Sequence, residues 1–160
     1  MSSKTHTLTA LVENKAGVLN RIASLFRRRR FNIESLTVGH SEKPGLSRMT
    51  IVVNEDTNVD QVFRQMYKIV EVIKIKILAE EKSIIRDLAL VKLKTTKKSQ
   101  PKLAKTIKLF DAKIVHKNHK ALTVQIVGLP AKIDSFLELV QNFGILEFSR
   151  TGATALPMEQ

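Results

Sequence analysis

Several absences narrow the reading of this 160-residue sequence before any motif does. There is no cysteine, so disulfides, thiolate metal sites and a cysteine nucleophile are all removed from consideration. Aromatic residues amount to 5%, and the strand patterns lack the clustered Phe and Tyr pairs on which RNA bases stack. No apolar run approaches the about 20 residues of a membrane-spanning helix, so no membrane partner is expected. The opening M-S-S-K-T-H has no apolar signal core and runs almost directly into a strand pattern, which points to a reducing, cytoplasmic compartment, with a plastid stroma as the alternative. None of the glycine signatures G-x-x-x-x-G-K-[ST], G-x-G-x-x-G or G-x-S-x-G occurs, so phosphate-loop, dinucleotide and hydrolase readings lose their main support. His116 and His119 stand three apart on a strand-turn-strand pattern with no carboxylate or cysteine close by, and His6 and His40 are isolated. The carboxylates form no compact pair for acid–base work. No catalytic residue, metal ligand or cofactor is therefore assigned to this chain.

Acidic residues are also scarce: 15 against 27 Lys and Arg, a formal charge of +12. Between Lys92 and Lys120 stand ten lysines and one acid, Asp111, with Lys102, Lys105 and Lys108 at helical spacing. A solvated lysine face accounts for this run; a basic nucleic-acid-binding module is the alternative. Arg27 to Arg30 close a first predicted helix, where cations meet the negative end of its dipole.

What is present centres on Val12 to Val38, which reads as strand end, tight turn, helix and returning strand. Leu19, Ile22, Ala23 and Phe26 follow the spacing of one helix face. The first turn of any helix carries backbone N–H groups without intrahelical partners, at the positive end of the dipole, so a carboxylate or phosphate is at home there. Asn14 could cap those amides or a ligand, and Gly17 takes away the side chain that would hold a ligand off the backbone. An N-cap and a turn residue remain the simpler reading of the same pair.

Around this stretch, Thr5 to Val12 alternates as a half-buried strand. Phe31 to Val38 is a strand whose apolar phase shifts between Phe31/Ile33 and Leu36/Val38, as a bulge would shift it. Met49, Ile51 and Val53 alternate, Val59 to Val70 repeats at helical spacing, and Ile73, Ile75 and Ile77 alternate with lysines. Strand, helix, strand, strand, helix, strand is the ferredoxin-like βαββαβ order, an antiparallel sheet with both helices on one face and the other face open. The cycle runs again: a strand through Leu88, Leu90 and Leu93, a helix over Lys98–Phe110, a hairpin about Asn118, a helix after Pro130 and a strand after Gly144. An α+β chain of two ferredoxin-like domains, 1–79 and 80–160, is expected.

The strings V-E-N-K-A-G-V-L-N-R-I-A-S-L-F, F-N-I-E-S-L-T-V-G and P-G-L-S-R-M-T-I-V-V closely resemble the small, regulatory subunit of acetolactate synthase, and D-L-A-L-V-K, K-I-D-S-F and R-T-G-A-T-A-L extend the likeness over nearly the whole chain. The resemblance implies a non-catalytic subunit whose N-terminal ACT domain pairs its sheet with a second protomer and binds a branched-chain amino acid, commonly valine, at that interface. It implies a homodimer that stimulates a large catalytic subunit and confers end-product inhibition. Thiamine diphosphate, Mg²⁺ and FAD would then reside on that partner. Carried over by position, the effector site falls on Asn14, Gly17, Val18, Leu19 and Asn32, with Thr37 and Gly39 as neighbouring pocket wall. A stand-alone ACT amino-acid sensor would share the site and dock elsewhere. One position departs from the family: Arg30 stands where relatives often have Gly, a cost on the order of 1 kcal/mol if φ there is positive.

Overall fold

Alternating and helical apolar spacings each find their element in the computed structural model, which describes residues 5–159. Of the opening M-S-S-K-T-H, on which the expectation of no signal core rests, Met1 to Lys4 lie outside the described residues. β1 (Thr5–Glu13), α1 (Val18–Arg28), β2 (Ile33–His40), β3 (Leu46–Asn54), α2 (Val59–Met66) and β4 (Val72–Leu78) follow one another, and the strands form an antiparallel sheet ordered β2-β3-β1-β4. Leu8, Ala10 and Val12 face the helices together with Met49, Ile51 and Val53, none more than 2% exposed. The predicted irregularity in β2 is a register shift between Ile33 and Ser35.

Two helix readings change. α1 buries Val18, Ile22, Leu25 and Phe26, whereas Leu19 is half exposed and Ala23 faces solvent. Val18, Ile22 and Leu25 also satisfy helical spacing, and packing on the sheet selected that stripe over the one through Leu19 and Ala23. α2 stops at Met66, so Ile69 and Val70 belong to the turn before β4.

The second cycle comprises β5 (Ser83–Lys94), α3 (Gln100–Leu109), β6 (Lys113–Lys117), β7 (Ala121–Gly128), α4 (Pro130–Gln141) and β8 (Ile145–Arg150), with strand order β6-β7-β5-β8, the same order as the first. Its core joins Ala89, Val91 and Leu93 to Leu103, Ile107, Ile133, Phe136 and Val140. The two compact units are residues 1–85 with 153–160, and residues 86–152. The division thus falls inside β5, and the last residues return to the first unit.

The repeat extends to hydrogen bonds. α1 ends with Arg30 N–H donating to Arg27 O (3.1 Å) and Phe31 N–H to Phe26 O (3.0 Å); α3 ends with Asp111 N–H donating to Lys108 O (3.1 Å) and Ala112 N–H to Ile107 O (3.0 Å). Both are Schellman turns, whose C′ residue must be left-handed. Arg30 and Asp111 accordingly have φ of 55° and 51°.

A short strand not foreseen from the pattern, β9 (Thr154–Pro157), pairs with β5. It also corrects the expectation of an open sheet face in the first unit: Ala153 and Ala155 cluster there with Val52, Leu78 and Ile85. In the second unit, the Asp87 carboxylate, 2% exposed, is held by Arg150 (2.5 Å), which also reaches Asp134 of α4 (2.6 Å).

Candidate functional site

β1 ends at Glu13, and its continuation is pinned on both sides: Glu13 N–H donates to Glu71 O (2.9 Å) and Asn14 N–H to Gly45 O (2.8 Å). The turn then closes on Gly17, the residue capping α1, at φ 87° and ψ −13°. This left-handed conformation suits glycine, and a Cβ built there would meet no atom within 4 Å. The space above the first helical turn is open.

No side chain caps this turn. Among the described residues the amides of Gly17, Leu19 and Asn20 meet no acceptor, and Val18 N–H has only a long bond to Lys15 O (3.4 Å). α2, by contrast, is capped by Asn58 Oδ1, which accepts from Gln61 N–H (3.0 Å). The simpler reading of Asn14 as an N-cap is therefore not realised. Its Nδ2 instead lies 3.5 Å from His40 Nδ1 at the end of β2, a contact that needs the ring proton on Nε2. Asn14 Oδ1 is left as an acceptor beside uncapped donors. His40 is the residue at this site that sequence reasoning set aside; only the β2–β3 register, which brings the end of β2 to the turn, could have found it.

Charge on the loop is already committed. Lys15 pairs with Glu13 (2.7 Å), whose carboxylate holds the ammonium above the usual lysine range. Arg21 of α1 pairs with Glu71. An anion arriving over Gly17 would thus be met by main-chain donors and the helix dipole rather than by a free cation. Val18 sits in the core at 4% exposure, so only its main chain is offered to a ligand. Leu19 turns outward at 49% exposure and supplies an apolar surface beside the amides.

Asn32 is in a different place. It precedes β2, where Ile33 pairs with Val53, while His40 at the far end pairs with Ser47 beside the turn. Seven strand steps, about 23 Å, separate those ends, so Asn14 and Asn32 of one chain do not meet. Asn32 Nδ2 donates to Glu34 Oε1 (2.9 Å), which leaves its Oδ1 as an exposed acceptor. Thr37 faces the other side of the sheet, where its hydroxyl donates to Ala153 O (2.8 Å), turned away from the open space over Gly17. Gly39 lies on β2 with no atom within 4 Å of a built Cβ. Among the described residues no group of three His, Cys, Asp or Glu is placed to hold a metal, and no helix is long and apolar enough to cross a membrane.

The corresponding turn of the second unit is closed. Thr95 stands where Asn14 does, its N–H donating to Lys120 O (3.0 Å), but Thr96 and Ser99 satisfy each other's hydroxyl and amide groups and Pro101 removes an amide from the first turn of α3.

Residues 8–74 match the family model for the ACT domain of acetohydroxyacid synthase small subunits, and residues 86–159 match the model for the small subunit of acetolactate synthase. The sequence is 45% identical over 158 residues to the probable acetolactate synthase small subunit of Methanothermobacter thermautotrophicus, covering 98% of this chain and 94% of that one. It is 44% identical over 157 residues to the small subunit of Mycobacterium bovis, with the same coverage. The crystal structure of the acetolactate synthase small subunit from Thermotoga maritima superposes with a TM-score of 0.88 at 36% identity, over 96% of this chain and 97% of that one.

Proposed function

The chain belongs to the acetolactate synthase small-subunit family and carries its ACT domain, and from that premise we propose that it stimulates a catalytic large subunit and makes it sensitive to feedback inhibition by a branched-chain amino acid, valine first. The observation that carries this reading is the uncapped first turn of α1 beneath open space at Gly17. A free amino acid presents a carboxylate, an ammonium and one apolar side chain; the amides at Gly17 to Leu19, asparagine carbonyl oxygens and the exposed Leu19 side chain answer them in turn.

The separation of Asn14 from Asn32 supports a composite site in a homodimer. β2 is an edge strand, paired only with β3, and its sequence I-E-S-L-T-V-G-H contains no lysine or proline to block further pairing. Antiparallel pairing of two β2 strands about a two-fold axis near Leu36 and Thr37 sets Ile33 of each chain opposite His40 of the other. The partner's Asn32 then arrives beside Asn14 and Gly17, and each dimer holds two equivalent sites. Thiamine diphosphate, Mg²⁺ and FAD belong, on this reading, to the large subunit.

Calorimetric titration of the purified chain with L-valine, L-leucine and L-isoleucine tests the effector directly. Asn14→Ala and Gly17→Asp are expected to abolish inhibition of the reconstituted enzyme and leave stimulation intact; full valine sensitivity in both would place the site elsewhere. Mixing Asn14→Ala with Asn32→Ala chains tests the composite arrangement. Mixed dimers regain one intact site, so about a quarter of all sites should recover binding after random exchange, whereas a site built within one chain recovers none.

A further inference from the structure

The strand that follows Gly152 is fastened to the outer face of the first unit's sheet by three hydroxyl groups. Thr37 Oγ1 donates to Ala153 O (2.8 Å), Ala153 N–H donates to Ser35 Oγ (3.3 Å), and Ala155 N–H donates to Thr50 Oγ1 (3.3 Å). Thr37 and Thr50 are directly opposed in the β2–β3 register, so the segment straddles those two strands. Ala153 and Ala155 are buried, while Thr154 and Leu156 face solvent. Two methyl side chains are what let a backbone lie close enough for its amides to reach hydroxyls on a sheet surface. Beyond β9, Met158 N–H donates to Lys82 O (2.9 Å).

Within the first sheet of a single chain, β2 is the strand with least else to hold it. It is hydrogen-bonded along one edge only, its register with β3 breaks between Ile33 and Ser35, and it is at best half-buried throughout. Two of the three tail contacts fall on this strand, between Asn32 at one end and His40 at the other. Anything that orders the ends of β2 favours the docked tail, and the docked tail favours an ordered β2, by the same factor in each direction.

We propose that β9 is a coupling strap: occupancy of the effector site at the ends of β2 stabilises β9 on Ser35, Thr37 and Thr50, and the docked strap is what makes effector binding felt by the catalytic partner. Ser35 and Thr37 are positioning residues in this device, acting through the tail and not on the ligand. The proposal rests on the effector reading above and adds the route by which the bound state is transmitted.

The test uses the full chain reconstituted with its large subunit, and L-valine as the probe. In the wild type, hydrogen exchange at the amides of Ala155 and Met158 should slow several-fold on adding L-valine. Thr37→Val keeps the side-chain shape and removes the donor, and truncation after Gly152 removes the strap. Both should still bind L-valine by calorimetry, weakened by no more than the usual coupling range of about 5–150-fold, while inhibition of the reconstituted enzyme is lost. Thr37→Ser should restore it. Exchange at Ala155 and Met158 that ignores L-valine, or Thr37→Val as inhibitable as the wild type, overturns the proposal. Loss of L-valine binding in Thr37→Val also overturns it, since Thr37 would then belong to the pocket. A wild-type chain that binds no branched-chain amino acid counts against the effector site itself, and that titration is read before any variant is compared.

Discussion

Arg30 carries a cost that is visible from both ends of the argument. Its φ of 55° is dictated by the turn that ends α1, where the Phe26 and Phe31 rings meet edge-to-face at 6.2 Å and supply the apolar contact between C3 and C″ that accompanies this motif. A β-carbon in that conformation costs about 1 kcal/mol. Arg30→Gly is therefore expected to raise unfolding stability by about 0.5–1 kcal/mol, measured by denaturant titration, with a smaller gain for Asp111→Gly because aspartate tolerates the left-handed region better. Asp87 is the opposite case: its buried carboxylate is stabilised by Arg150, so Arg150→Ala leaves an unpaired buried charge and should cost about 3 kcal/mol in the same experiment.

Strand edges differ between the two units in a way that bears on assembly. β2 and β6 occupy equivalent places at the edge of their sheets, but β6 reads K-I-V-H-K and all five residues are exposed. Antiparallel self-pairing centred on Val115 would oppose Lys113 and Lys117, and like charges directly across a ladder repel. Lysines of this kind are a common guard on an exposed edge. Transferring the guard to β2 tests its role. Val38→Lys should leave the circular dichroism spectrum unchanged, shift the chain to monomer in sedimentation, and remove valine binding with the dimer. A dimer that persists would mean the first unit associates through another surface.

At the scale of the whole chain, neither α1 nor α3 has a side-chain cap, yet the two copies of one topology have diverged in the turn that leads into that helix. The turn after β1 presents amides over open space, while the turn after β5 is filled by Thr96, Ser99 and Pro101. On the proposed reading, that contrast makes one effector per chain the expected stoichiometry in a calorimetric titration with L-valine. Charge has diverged as well, since the ten lysines between Lys92 and Lys120 lie in the second unit, spread over β5, α3, β6 and the turns between them.

Local patterns were enough to set the order of elements, the repeated βαββαβ plan and the turn around Asn14 and Gly17, because periodicity, glycine and helix-end chemistry act over a few neighbouring residues. They could not choose between overlapping apolar stripes on α1, since Ile22 and Phe26 belong to both and only packing on the sheet decided for Val18 and Leu25. Nor could they show that Asn14 and Asn32 stand at opposite ends of β2, that Asn14 meets His40, or that Ala153 and Ala155 close the outer face of the first sheet. Each of those depends on strand register or on contacts between residues far apart in sequence, and such contacts are fixed by how the elements pack together, whatever the pattern within each one.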